Sequence, residues 1–286
     1  MGPPSGEGTV FCAPAKVNLN LRVTGRRDDG YHLLESTVIF TAFGDRLTVR
    51  PATGGDSFEL TGPFAPLLED EADNICLRAV RGYRAAGGAV EPLAMRLEKN
   101  IPVGAGLGGG SSDAAAMLRC LEQRATRRLG PVALADLAAG LGADVPVCLA
   151  GIASHMTGIG DILHPVTPPP RGHIVLAWPG VMLSTPEVFR AFAESGTGFA
   201  VGACDLAAMT AQRIAETGND LAGAAQRLCP EITSVIDTLR TCSGILAAQM
   251  TGSGSACFGL FAEAPQAAAA AACVTTTGHW AVATSF

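Results

Sequence analysis

The segment Pro102-Val103-Gly104-Ala105-Gly106-Leu107-Gly108-Gly109-Gly110-Ser111-Ser112-Asp113 links a β-rich stretch to an alanine-rich one and places five glycines within seven residues. With no side chains in the way, backbone N–H groups there can approach an anion. A helix starting at the two serines would direct about half an elementary positive charge toward it. That chemistry is phosphate binding. Two other phosphate loops fail on the residues themselves. Gly104, Gly106 and Gly109 fit G-x-G-x-x-G, but Pro102 interrupts the approach and no well-placed acid follows about 20 residues on. A Walker A loop needs Lys after its last glycine, where Ser111 stands. A hydroxyl of Ser111 or Ser112 is the candidate ligand for a metal ion or a phosphate oxygen.

Lys16, Asn18 and Asn20 alternate with Val17, Leu19 and Leu21, the period of a half-buried strand with one face polar throughout. Of the 20 basic residues only Lys16 and Lys99 are lysines, so each offers a compact, rotatable charge in a background of planar guanidinium groups. Asp144 sits in Leu141-Gly142-Ala143-Asp144-Val145-Pro146, an apolar run bounded by Gly and Pro. A carboxylate there is either a helix N-cap or a functional group needing a cationic partner, because unpaired burial is costly. A third segment, Met250-Thr251-Gly252-Ser253-Gly254-Ser255, is a second Gly/Ser loop; taken singly it reads as a β-turn.

The elements that must position these residues follow from periodicity and breakers. A strand is expected over 16–23, a turn at 28–30, a β-rich return over 31–43, and short strands at 47–49, 58–60 and 93–97. A helix is expected over 74–85 with Asp73 as N-cap, a second from Ser111 with no breaker before Gly130, and a third near 134–141. Four prolines within 165–170 make a stiff connector. Beyond it come a strand at 174–178, a helix capped by Thr185 with Pro186 at its first position, and helices at 206–214, 221–228 and 232–241. A β-loop-β unit over 245–261 follows, then an alanine run, 267–272, expected in the middle of a buried helix, and a last strand at 280–284. The domains expected are 1–164, holding the glycine-rich loop, Lys16 and Asp144, and 165–286, with the last strand returning to the first domain.

With 26 acidic against 20 basic residues the formal charge is -6, which disfavours nucleic acid or an anionic membrane as partner. At 48% hydrophobic and 16% charged, the 286-residue chain is too apolar to be disordered. Nine cysteines with no C-x-x-C spacing suggest neither a disulfide framework nor a zinc knuckle. Reduced thiols in the cytoplasm are expected. Residues 1–7 carry no basic and apolar leader pattern, and no run approaches the roughly 20 apolar residues of a membrane span.

In this order and spacing, the three segments resemble the motifs of the GHMP kinase superfamily: an N-terminal strand motif, a Pro-x-x-x-Gly-Leu-Gly-Gly-Gly-Ser-Ser loop and a C-terminal Gly-Ser-Gly loop. The resemblance implies an α+β, two-domain GHMP kinase fold, with an N-terminal domain like domain 2 of ribosomal protein S5 and a ferredoxin-like C-terminal domain. It implies ATP and Mg2+, with Asp144 as general base and Lys16 beside it. Pro102, Gly104, Gly106, Leu107, Gly108, Gly109, Gly110, Ser111, Ser112, Asn74 and Lys99 would contact the nucleotide.

Gly30-Tyr31-His32, residues 141–146 and Asn219-Asp220-Leu221 narrow the resemblance. They point to members that phosphorylate a small alcohol bearing a cytidine diphosphate group, in the non-mevalonate route to isoprenoid precursors. Asn18, Tyr31 and His32 would hold the cytidylyl end and Phe189 would stack on the base, with Thr185, Pro186, Gly252, Ser253 and Gly254 also at the substrate. The expected partner is that small molecule alone, for a monomer or weak homodimer. Superfamily kinases of homoserine, mevalonate or sugars, or a catalytically silent sensor on the same fold, are the competing readings. Two departures stand out: Asp161 where a Glu is usual, and Ala222 where an acid often follows Asn219-Asp220-Leu221.

Overall fold

The structure is a computed structural model and describes residues 8–68, 73–202 and 210–286. The chain packs into two compact units that are both discontinuous in sequence. One comprises residues up to 15, 44–103 and 108–151; the other comprises 16–43, 104–107 and 152–286.

The first unit is built on β4 (Ser57–Thr61), β5 (Leu93–Glu98) and the second part of β3 (His32–Pro51). β5 pairs antiparallel with β3, Arg46 opposite Glu98, and parallel with β4, Phe58 opposite Met95. Leu93, Met95 and Leu97 are buried while Ala94, Arg96 and Glu98 are not, the alternation of a sheet with one face on a core. On that face lie α1 (Ile75–Ala85), α2 (Gly109–Arg124) and α3 (Pro131–Leu141), followed by the short α4 (Val145–Ala150). α1 contributes Cys76, Ala79, Val80 and Tyr83, at helical spacing, to a core that also holds Leu47, Met117 and Leu118.

The second unit contains β1's last residues, β2 (Arg22–Arg26), the first part of β3, β6 (Ser154–Thr157) and β7 (Ile162–Pro165). It also contains the chain from β8 (His173–Trp178) onward: α5 (Thr185–Glu194), α6 (Ala211–Thr217), α7 (Ala222–Leu228), α8 (Glu231–Thr241), β9 (Ile245–Met250), β10 (Cys257–Phe261), α9 (Ala264–Thr276) and β11 (Trp280–Ser285). β8 to β11 form a four-stranded antiparallel sheet in the order β11-β8-β10-β9. Strand, helices, two strands, helix, strand in that order is the ferredoxin-like arrangement. Its core includes Val175, Phe192, Leu221, Ile232, Val235, Leu239 and Phe261.

Several boundaries differ from the sequence-based expectation, each for a local reason. β1 (Thr9–Asn18) ends where a strand was expected to continue, and β2 begins only at Arg22. The polar face of Lys16, Asn18 and Asn20 is not solvated: all three are buried, as are Val17, Leu19 and Leu21. The strands expected at 31–43 and 47–49 are one, β3. α2 stops at Arg124 because Thr126 and Arg127 leave the helix to bond the carbonyl of Ala89, 2.9 Å from the Thr126 nitrogen. The cap of α1 is Asn74, whose Oδ1 accepts from Cys76 N at 2.9 Å, and not Asp73; α5 is preceded by Ser184, so Thr185 is its first residue.

Only the Ala267, Ala270, Ala271 and Val274 face of α9 is buried, so the alanine run is half-exposed. β11 pairs with β8 along its whole length. Of the helix expected at 206–214, residues 206–209 lie outside the described residues, as do residues 1–7. No helix among the described residues is long and apolar enough to cross a membrane.

Leu118 of α2 is fully buried in the first unit's core. Leu118→Ala is expected to cost about 2–5 kcal/mol of stability in a urea titration. A loss well below ~1 kcal/mol would be inconsistent with this packing.

Candidate active site

In the first unit, the glycine loop ends in α2, whose N-cap Gly108 adopts a left-handed conformation, φ 65°, and brings no side-chain acceptor to the helix. Ser112 N is bonded back to Gly108 O at 2.9 Å. The amides of Gly109, Gly110 and Ser111 therefore precede the first intrahelical bond, where a helix has N–H groups to give to an anion. A Cβ on Gly110 would meet nothing within 4 Å, so the space in front of it is open. The Ser112 hydroxyl is fully buried and donates to Pro14 O at 2.6 Å, which leaves half-buried Ser111 as the hydroxyl at the rim.

Asp144 occupies the N-cap position of α4, and its side chain makes no capping bond to that helix. Asn74 is buried and caps α1. Lys99 is buried too, and its ammonium is held by Asp45 and Asp113, 2.6 Å from Asp113 Oδ2. Burial pulls the Lys99 pKa down, but the two carboxylates outweigh it and the net direction is up. Pro102, on the same stretch, is buried.

In the second unit the two Gly-rich loops come together. Ala256 N donates to Ala105 O at 2.9 Å, and Lys16 N to Leu107 O at 2.9 Å. Gly106 has φ +80°, and a Cβ there would sit 2.5 Å from Gly254 O, so only glycine fits this crossing. Asn18 is fixed beside it: its backbone N donates to Thr251 Oγ1 at 2.8 Å and its Nδ2 to Ser36 Oγ at 2.7 Å. Its buried Oδ1 has no hydrogen-bond partner. Asn219 donates from Nδ2 to Met250 O at 3.1 Å and Gly252 O at 2.9 Å, bracing the second loop, and Asp220 Oδ2 accepts from Val23 N at 2.8 Å. Asn20 is spent on structure, its Oδ1 accepting Thr37 N at 2.7 Å.

His32 stacks on Phe189 with ring centroids 4.9 Å apart and planes at 22°, and meets Phe192 edge-on. Burial, with the Arg26 charge second, holds the His32 pKa below its usual value, so the ring is neutral at pH 7 and presents both a donor and an acceptor. Tyr31 is 60% exposed. Thr185 and Ser253 share a hydrogen bond of 2.8 Å, with exposed Pro186 next in sequence. Asp161 braces its own turn, its Oδ1 accepting Ile159 N at 3.0 Å, which accounts for that departure structurally.

The sequence reading missed Thr251, Ser36, Asp45 and Asp113. Ser and Thr are common in loops and on strand faces. Asp113 directly follows Ser111-Ser112, and that adjacency was its one visible signal. No cluster of three or more His, Cys, Asp or Glu suited to a metal ion occurs among the described residues.

The comparisons with known proteins follow this geometry. The family described as GHMP kinases N terminal domain matches residues 74–152, and GHMP kinases C terminal matches 206–279. The chain is 44% identical to the 4-diphosphocytidyl-2-C-methyl-D-erythritol kinase of Rhodospirillum rubrum, covering 97% of this chain and 92% of that one. It is 46% identical to the kinase of the same name from Paracoccus denitrificans, covering 94% and 93%. A crystal structure of 4-(cytidine 5'-diphospho)-2C-methyl-D-erythritol kinase superposes with a TM-score of 0.82 at 35% identity, covering 97% of this chain and 98% of that one. The mevalonate kinase of L. major shares the fold, at a TM-score of 0.69 and 17% identity over 99% of this chain and 98% of its own. With both halves of the motif set matched and identity sustained across nearly its whole length, this chain belongs to the GHMP kinases, in the 4-diphosphocytidyl-2-C-methyl-D-erythritol kinase family.

Proposed function

We infer that the chain is an ATP-dependent kinase that phosphorylates the 2-hydroxyl of 4-diphosphocytidyl-2-C-methyl-D-erythritol, a step toward isoprenoid precursors by the non-mevalonate route. The observation that carries this reading is the 44–46% identity, over more than nine-tenths of the chain, to kinases of that name. The site chemistry supports it step by step. Phosphoryl transfer asks the protein for positioning and charge neutralisation more than for covalent chemistry.

The unbonded amides at the start of α2 receive the nucleotide phosphates, with Gly104, Gly106 and Leu107 shaping the loop ahead of them. Lys16 supplies positive charge to the transferring group. Asp144, at the amino end of α4, takes the proton of the attacking hydroxyl. Ser111 is the residue that would hold Mg2+ with the phosphates, where the ion would supply further charge neutralisation. Asn18 offers its unpaired Oδ1 to a substrate hydroxyl, and the His32–Phe189 stack with Tyr31 receives the cytidine.

Asp144→Asn keeps the shape and removes the proton acceptor. It is expected to lower kcat by about 10²–10⁴-fold with the melting temperature and ATP binding retained. Lys16→Ala should fall in the same direction. Near wild-type turnover of Asp144→Asn, measured by coupled ADP release, would remove the general-base role.

Gly110→Val places a side chain where nothing of the protein stands, so any effect reports on the ligand. The KM for ATP is expected to rise at least about tenfold, a loss of ~1.4 kcal/mol, with unchanged thermal stability. Unchanged ATP affinity in isothermal titration would take this loop out of the nucleotide site.

Binding energy from the remote cytidine is used to position the reacting hydroxyl. Phe189→Ala and Tyr31→Ala should each lower kcat/KM by roughly ten- to a hundredfold, the range of a lost base stack. Methylerythritol phosphate lacking the cytidylyl group should be an equally poor substrate for wild type and variants. If the wild type phosphorylates it as well as the full substrate, a kinase of another small alcohol becomes the better reading.

A further inference from the structure

A loop of glycines is a poor holder of phosphate unless its ends are fixed, because each binding event would have to order it anew. The ends of the 102–110 loop are fixed in an unusual way. At the β5 end, Asp45 Oδ1 accepts the backbone N–H of Asn100 at 2.5 Å and of Ile101 at 2.8 Å, while its Oδ2 takes the Lys99 ammonium. At the helix end, the same ammonium donates to Asp113 Oδ2 at 2.6 Å, on the second turn of α2. The Lys99, Asp45 and Asp113 side chains are 3%, 0% and 2% exposed. Lys99 Nζ lies 3.3 Å from where a Cβ on Gly109 would be, directly behind the first residue of the helix.

This cluster is poorly explained as a source of stability. Burying charge is expensive, and apolar replacements for buried ion pairs are often neutral or stabilising. Two carboxylates also face one ammonium, and Asp113 Oδ1 is buried with no hydrogen-bond partner. Burial, with Asp45 adding to it and Lys99 opposing, pushes the Asp113 carboxyl well above its usual range. What the three side chains do accomplish is geometric: strand exit and helix start cannot move apart.

We propose that Lys99, Asp45 and Asp113 are positioning residues that staple the two ends of the phosphate loop together, Lys99 acting from behind the loop and not as a ligand of the nucleotide. The proposal rests on the reading of this loop as the nucleotide-phosphate site. In Asp113→Leu the staple is cut while the Lys99–Asp45 pair stays balanced, so the fold is retained.

The expected result for Asp113→Leu is a KM for ATP raised by about tenfold or more, as for a misplaced positioning group. The KM for the cytidylyl substrate should stay within about twofold and the Tm at or above that of wild type. Asp113→Asn, which keeps an acceptor for Lys99, should restore the ATP KM. An unchanged ATP KM in Asp113→Leu overturns the staple. Unfolding, or a falling Tm with both KM values rising together, makes the triad a folding element and overturns it equally. Gly110→Val run alongside separates the two ideas. If it raises the ATP KM while Asp113→Leu does not, the staple alone fails; if neither variant does, the phosphate-loop reading fails first.

Discussion

The amino end of α2 leaves its first backbone N–H groups without a side-chain cap, and the first unit holds that helix by its body instead. Two helices do carry a side-chain cap, Asn74 on α1 and Thr210 on α6, which accepts from Arg213 N; α3, α4, α5, α7, α8 and α9, like α2, begin without one. With Gly108 at the N-cap, forgoing a side-chain cap costs roughly a few tenths of a kcal/mol. α2 offsets it by length and burial, 16 residues with an unbroken buried run from Ser112 to Leu118. The Ser112 hydroxyl, which would otherwise compete for those amides, is turned away to Pro14 O. A helix held so firmly along its body can leave its first turn unsatisfied without fraying.

The second unit solves a different problem, that of fixing polar side chains in a dry interior. Lys16 and Asn18 of β1 and Asn20 just beyond it are buried, as are Val17, Leu19 and Leu21, so every donor and acceptor needs an assignment. Asn20 is held to β3 through its Oδ1, and Asn18 is committed by its donors but not by Oδ1. The crossing of Gly106 and Gly254 allows the two loops to approach at backbone distance.

What was legible in the sequence was whatever depends on local spacing. The α+β class, the glycine loop opening a helix, the Pro-rich connector and Asp144 in its apolar run could all be read from neighbours within a few residues. Helix starts were displaced by one residue at Asn74 and Ser184, because adjacent residues of similar capping ability differ only in which one the packed chain turns outward. The end of α2 depended on Ala89, nearly forty positions earlier, to which Thr126 bonds. The roles of Asp45 and Asp113 were invisible for the same reason: Asp45 meets Lys99 across 54 positions. Period-two alternation located the Lys16 strand but not the burial of its polar face, since periodicity reports that two faces differ and not what covers each.

The two compact units change over inside β1, between Ala15 and Lys16, and inside β3, between Phe43 and Gly44. Neither unit is therefore a contiguous stretch of gene. A cut at the proline connector would strip the later portion of residues 16–43 and 104–107, which include Lys16, Asn18 and His32, and leave them stranded on the other fragment. Modular proteins diversify by exchanging whole domains between genes. A chain threaded back and forth in this way is closed to that route: its units are inherited together, and new specificity has to arise by point substitution within the frame.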